Sequence, residues 1–171
     1  MNRISRRALS LLPFALLAAC GAPETKFKSY DGPPVTQIVV NKGERRMYLM
    51  SGRTVLKAYD VGLGNEPVGT KRFEGDGKTP EGVYFIDRFN LNSAYHLSLG
   101  VSYPNNLDTA YARSQGLDPG GDIFIHGWGA EGHRLAPGKR DWTAGCIAVR
   151  DEEIEEIYAM VQGGIPVVIN G

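Results

Sequence analysis

From residue 36 to residue 150, apolar-patterned segments last no more than about nine residues before a turn signal interrupts them, a spacing that suits short strands and leaves little room for long helices. TQIVVN, RRMYLM and TVLKAYDVG, within residues 36–62, are separated by Lys42-Gly43 and Ser51-Gly52, pairs that supply a residue tolerant of positive φ. They read as an antiparallel meander, with Arg45 and Arg46 on a solvated edge. Further strands are expected at about 82–89, at about 95–102 until Pro104 stops it, in DIFIHGW, in CIAVR and in PVVING. Leu107 to Gly121 has no regular pattern, and 129–142 reads as a polar Gly/Pro loop. One segment, DEEIEEIYAMVQGG, carries a helical period: acids in the first turn, apolar Ile154, Ile157, Tyr158 and Val161, glycines at the end. The expectation is a mainly β domain over residues 35–171, a sheet sandwich with one amphipathic helix, and neither an internal repeat nor a second domain.

The first twenty residues, MNRISRRALSLLPFALLAAC, combine a basic start, an apolar run of about a dozen residues and small residues before a cysteine. The run falls short of the roughly twenty apolar residues a bilayer-spanning helix needs, so it reads as a cleaved signal peptide over 1–19. Leu17-Ala18-Ala19-Cys20 resembles the bacterial lipobox, which implies lipid on Cys20 and a membrane-anchored lipoprotein facing the periplasm. Gly21 in the next position favours the outer membrane of a two-membrane cell. Ser5-Arg6-Arg7 leaves the export route open. Residues 20–34 form the expected lipidated tether, its GAPETKFKSYDGPP spanning about 20 Å as a coil and at most about 50 Å extended.

Without the three arginines of the signal, the chain carries 16 basic against 19 acidic residues, a balance that argues against a nucleic-acid partner. If Cys20 bears lipid, Cys146 is the remaining thiol and no intramolecular disulfide can form.

In IFIHGWGAEGHRLAPGKRDWTAGCIAVRD, a histidine ends one apolar strand and a cysteine begins the next, twenty residues later. The two can meet if those strands are neighbours. A thiol of ordinary pKa is a few per cent ionised at neutral pH, and a nearby imidazolium would lower that pKa. His126 is therefore the expected activator of Cys146 as nucleophile. Gly145 allows close approach, and backbone N–H groups around Cys146 can hold an oxyanion.

These residues also resemble a known pattern. His126-Gly127, a loop, and TAGCIAV are similar to the L,D-transpeptidase catalytic domain (the YkuD-type family) over residues 36–171. The resemblance implies that Cys146 is the acyl-enzyme nucleophile and His126 the general base, with Gly127, Thr143 and Gly145 as motif and oxyanion support. It implies a substrate among peptidoglycan stem peptides and no cofactor or metal. Lys78, Thr79, Pro80 and Gly82 in GDGKTPEG resemble an earlier motif of the family, and Tyr103-Pro104-Asn105 a substrate-side element. Ala144 and Ala148 stand where many members have His and Arg. Arg150, of the same strand parity as Ala148, could replace the missing cation, and Trp128 and Trp142 bracket the loop as further substrate-side candidates.

Bland readings compete. A free cysteine is often a small core residue, and Asp141 and a backbone carbonyl are equal candidates for orienting His126. His133 with Cys146 does not have zinc-site spacing, and His96 has no role. The expected function is that of a monomeric cysteine acyltransferase acting through a thioester. A hydrolase ending with water (an L,D-carboxypeptidase, or an amidase releasing wall-linked proteins) and a non-catalytic wall-binding module are the rivals, and a redox thiol lacks a resolving cysteine.

Overall fold

The computed structural model describes residues 25–171. The signal peptide, Cys20 and Gly21 lie outside the described residues. Eleven elements follow in chain order: β1 Gln37–Asn41, β2 Arg46–Ser51, β3 Thr54–Asp60, β4 Gly82–Asn90, β5 Ser98–Val101, α1 Asn106–Ser114, β6 Phe124–His126, α2 Gly129–Leu135, β7 Ile147–Ala148, α3 Asp151–Met160 and β8 Pro166–Asn170. The β-rich class is as expected. Its strands make one curled eight-stranded sheet in the order β3-β2-β1-β8-β4-β5-β6-β7, antiparallel except for β1 with β8 and β6 with β7.

Alternation sets the faces. Ile38 and Val40 of β1, Met47 and Leu49 of β2, Tyr84 and Ile86 of β4, and Val167 and Ile169 of β8 are all buried in one cluster. The helix after β7 adds Ile154, Ile157 and Met160 to it. Each such aliphatic side chain stabilises the fold by roughly 1.5–3 kcal/mol relative to exposure. Among the described residues no helix is long and apolar enough to cross a membrane.

Two helices depart from the sequence expectation. The stretch read as irregular holds α1, whose start is a capping box: the Asn105 side chain accepts from Leu107 and Asp108 N–H, and Asp108 accepts from Asn105 N–H. It buries only Ala112, so no apolar period marks it. The polar Gly/Pro loop holds α2, which opens on Gly129 at φ +54° and has no capping side chain. Gly132 lies there because a Cβ would sit 2.6 Å from Trp128 Cβ and 2.8 Å from a Trp142 ring carbon.

The expected tether is also partly docked. Lys26 Nζ donates to the carbonyls of Leu91 (2.8 Å) and His96 (3.2 Å), Lys28 Nζ to that of Glu152 (3.1 Å), and Tyr30 packs against the core. Arg45 does not coat an edge. It adopts φ +56° and pairs bidentately with Asp141, whose carboxylate also accepts from Leu63 N–H.

The glycine-rich segment before β4 is organised around one buried ion pair. Asp76, 4% exposed, accepts from Lys71 Nζ (3.0 Å) and from the N–H groups of Arg72, Phe73 and Lys78, and Lys71 is 5% exposed. Burial opposes the charge on Asp76, and these donors outweigh it, holding the carboxyl below its ordinary range. A depressed pKa contributes stability that is present above the unfolded value of about 3.9 and is lost as pH falls through the folded one. Asp76→Ala leaves a buried ammonium unpaired and is expected to cost about 3 kcal/mol in urea unfolding at pH 7. The difference from wild type should shrink below pH 4.

Candidate active site

β6 and β7 lie side by side in parallel, Ile125 opposite Ile147 and His126 opposite Ala148. Their buried isoleucines hold the pair to the core, so the alternate side chains, His126 on β6 and Cys146 just before β7, fall on the other side. Cys146 and His126 line one cavity of about 300 Å³, together with Tyr95, Ser98, Asp122 and Phe124.

The histidine is 3% exposed. Its Nδ1 lies 2.6 Å from the Gly127 carbonyl, an acceptor, so Nδ1 carries the hydrogen and the neutral ring presents the Nε2 lone pair. Among the described residues Nε2 has no hydrogen-bond partner, and the one buried side-chain polar atom without a partner is Trp142 Nε1, so Nε2 opens on the groove. The ring is packed from two sides, by Tyr95 at 4.4 Å between centroids and by Trp142 edge-on at 5.8 Å. The orienting group is thus a backbone carbonyl. Asp141, the other candidate, is occupied by Arg45 and Leu63.

Cys146 is half-buried, its S–H directed at the Asp122 carbonyl (3.4 Å) and its sulfur accepting from Phe124 N–H (3.4 Å). Burial pushes its pKa up, and Phe124 N–H opposes this in part. Burial also lowers the pKa of His126, against the bond to Gly127. Both shifts favour the uncharged forms, so the resting pair is thiol and neutral imidazole. Burial thus works against the expected thiol acidified by an imidazolium, because a low-dielectric groove penalises that ion pair.

The turn that carries Cys146 is closed by the Thr143 hydroxyl. Thr143 Oγ1 donates to the Cys146 carbonyl (2.8 Å) and accepts from Gly145 N–H (3.1 Å), closing residues 143–146. With the Gly145 N–H so engaged, the Cys146 N–H meets no acceptor among the described residues. Gly145 sits at φ +143°, and a Cβ there would stand 2.8 Å from the Lys78 carbonyl. Gly64 packs on the Gly77 carbonyl and on Gly145, and its N–H donates to Thr79 Oγ1 (3.0 Å). GDGKTPEG therefore packs beneath the turn that carries Cys146. Gly127 cannot bear a Cβ, which would lie 2.6 Å from Asp151 Oδ1. Its carbonyl meets His126 Nδ1, and its N–H, expected as oxyanion support, donates to the Leu97 carbonyl (3.2 Å).

The four substrate-side candidates are not gathered in the groove. Tyr103 is a core residue, packed edge-on against Tyr84, with its hydroxyl on the Pro119 carbonyl. Arg150 pairs with Glu153 (2.7 Å) and, with Trp128, lines a separate cavity of about 320 Å³. Trp142 supports His126 from behind. His133 pairs with Asp151, and His96 with Glu155. Tyr95, Asp122 and Phe124 were missed by sequence reasoning. Asp122 and Phe124 meet Cys146 through backbone atoms and had no side-chain signal, and Tyr95, expected at the start of a strand, sits in the turn before β5.

A family model for the L,D-transpeptidase catalytic domain, YkuD, matches residues 35–169. The Escherichia coli K12 protein YafK, provisionally named an L,D-transpeptidase, is 28% identical over 147 residues, 83% of this chain and 52% of that protein. The helical cell shape determining protein Pgp2 of Campylobacter jejuni is 27% identical with a TM-score of 0.61, covering 86% of this chain and 51% of that one. An L,D-transpeptidase of Mycobacterium smegmatis shares the fold at 14% identity and a TM-score of 0.53, covering 80% and 59%. The chain spans about half the length of the curated relatives it matches.

Two outcomes follow from the geometry. Iodoacetamide alkylation of Cys146 should rise with pH along a curve whose midpoint lies above the ordinary thiol value of about 8.5. Gly145→Ala should cost about 1–3 kcal/mol in urea unfolding from backbone strain alone, whereas Gly121→Ala, with nothing within 4 Å, leaves stability unchanged.

Proposed function

This chain belongs to the L,D-transpeptidase catalytic-domain family, and we propose on that premise that it is a cysteine acyltransferase acting on peptidoglycan stem peptides. The observation that carries the reading is the shared groove in which Cys146 and the free Nε2 of His126 face the same space. A peptide carbonyl between an L-centre and a D-residue enters the groove near Cys146. His126 Nε2 takes the thiol proton as sulfur bonds to the carbonyl carbon, and the oxyanion is met by the Cys146 N–H. Collapse breaks the C–N bond, His126 returns the proton to the departing amine, and a thioester remains. An acceptor amine then gives its proton to His126 as it attacks the thioester, and the displaced Cys146 sulfur takes that proton back from His126 to regenerate the thiol.

The uncharged resting pair suits this order of events. Charge separates only as the carbonyl is attacked, when the forming oxyanion compensates the imidazolium. Water in place of the amine gives the hydrolytic outcome. The lipobox at Leu17–Cys20 supports an exported lipoprotein held on the periplasmic face of a membrane, where such peptides lie. The likeness to a protein that determines helical cell shape supports a role in shaping the wall.

Incubation with purified muropeptides tests the reading by mass spectrometry. Wild type is expected to release the terminal D-residue and to give cross-linked products, and Cys146→Ala to give neither. Shortened peptides alone identify the hydrolase, and no product from wild type with any stem peptide contradicts the assignment.

A further inference from the structure

Six peptide steps separate Cys20 from Lys26, so the chain between them reaches about 20 Å at full extension, against about 50 Å were everything to Pro34 loose. Lys26 is fastened to the Leu91 and His96 carbonyls, and Lys28 to the Glu152 carbonyl and, at 3.3 Å, to the Glu155 carboxylate. On the lipid attachment at Cys20 proposed above, we infer that this clamp holds one edge of the domain, the edge carrying the 91–96 loop, against the lipid bilayer.

The surface there has the chemistry of an interfacial contact. Phe27 is 49% exposed, Leu91 47% and Phe89 38%, and two lysine stems stand among them. Phe89 lies past the irregularity between Ile86 and Arg88 and packs edge-on against Tyr158 of α3, so it belongs to the α3 side of the sheet. Val83 and Phe85, equally exposed on the same strand, alternate with the buried Tyr84 and Ile86 and so face away from the core. They serve as the internal comparison.

The placement has a consequence for the substrate. The loop that holds Lys26 by its carbonyls also brings Ser93, Ala94 and Tyr95 to the groove with Cys146. The groove then opens at the bilayer-facing edge and takes the peptide ends that come within about 20 Å of the lipid surface. Release of the two lysines would lengthen the leash and turn the groove loose.

Paramagnetic relaxation of backbone amides tests this on the full chain, acylated and inserted in phosphatidylcholine nanodiscs doped with a gadolinium-chelating lipid. Amides of Phe27 and of residues 90–96 should be attenuated several-fold more than those of Val83 and Phe85. The contrast should vanish in the Lys26→Glu, Lys28→Glu double variant, whose amide spectrum reports directly whether it is folded. A mature chain whose mass shows no acyl group on Cys20 overturns the lipid attachment and the membrane placement with it. An acylated wild type with even attenuation, or a double variant that keeps the contrast, overturns the clamp alone.

Discussion

Two rungs of parallel pairing, Ile125 with Ile147 and His126 with Ala148, bring together a histidine and a cysteine that stand twenty residues apart. So short a pairing has little stability of its own, because a parallel ladder gains slightly less per residue than an antiparallel one and must also close a long loop. Its neighbours supply what it lacks. Gly62 bridges Ala148 on the far side of β7, Gly64 bridges Thr143, and α3 starts at Asp151 with three of its residues in the core. The close approach of these backbones explains the glycines at 64, 77 and 145: each Cβ would meet a carbonyl or side chain of the neighbouring loop.

The same burial that fixes the geometry sets the electrostatics. Each unit of pKa displacement is worth about 1.4 kcal/mol between protonation states, and both displacements at the site run toward neutrality. Holding a thiolate beside an imidazolium in an empty groove would require the protein to solvate both ions. This groove offers the sulfur one N–H and the ring one carbonyl. In the proposed reaction the thiol, the imidazole and the Cys146 N–H would surround the place where charge develops, which is the condition for stabilising a transition state more than a ground state.

The pattern of the sequence was enough for the strands and for α3, because period-two and helical apolar spacing report burial directly. It was not enough for α1 and α2, one of which buries a single residue while the other contains internal glycines. Cys146 and His126, which the fold brings to one groove, stood out in the sequence because few residue types suit acyl transfer. The third member was not, since a Gly127 carbonyl leaves no side-chain signature. Arg150 and Tyr103 show the opposite failure: a residue type suited to substrate binding, placed by the fold in an ion pair or in the core.

Everything proposed for the groove depends on His126 resting as a neutral ring, hydrogen on Nδ1 and lone pair on Nε2, until substrate arrives. Nitrogen-15 NMR of the imidazole across a pH titration measures this directly. The Nδ1–H tautomer is expected at pH 7, with a midpoint below the usual imidazole value of about 6.5. A ring that is doubly protonated at pH 7, titrating together with Cys146, would contradict it.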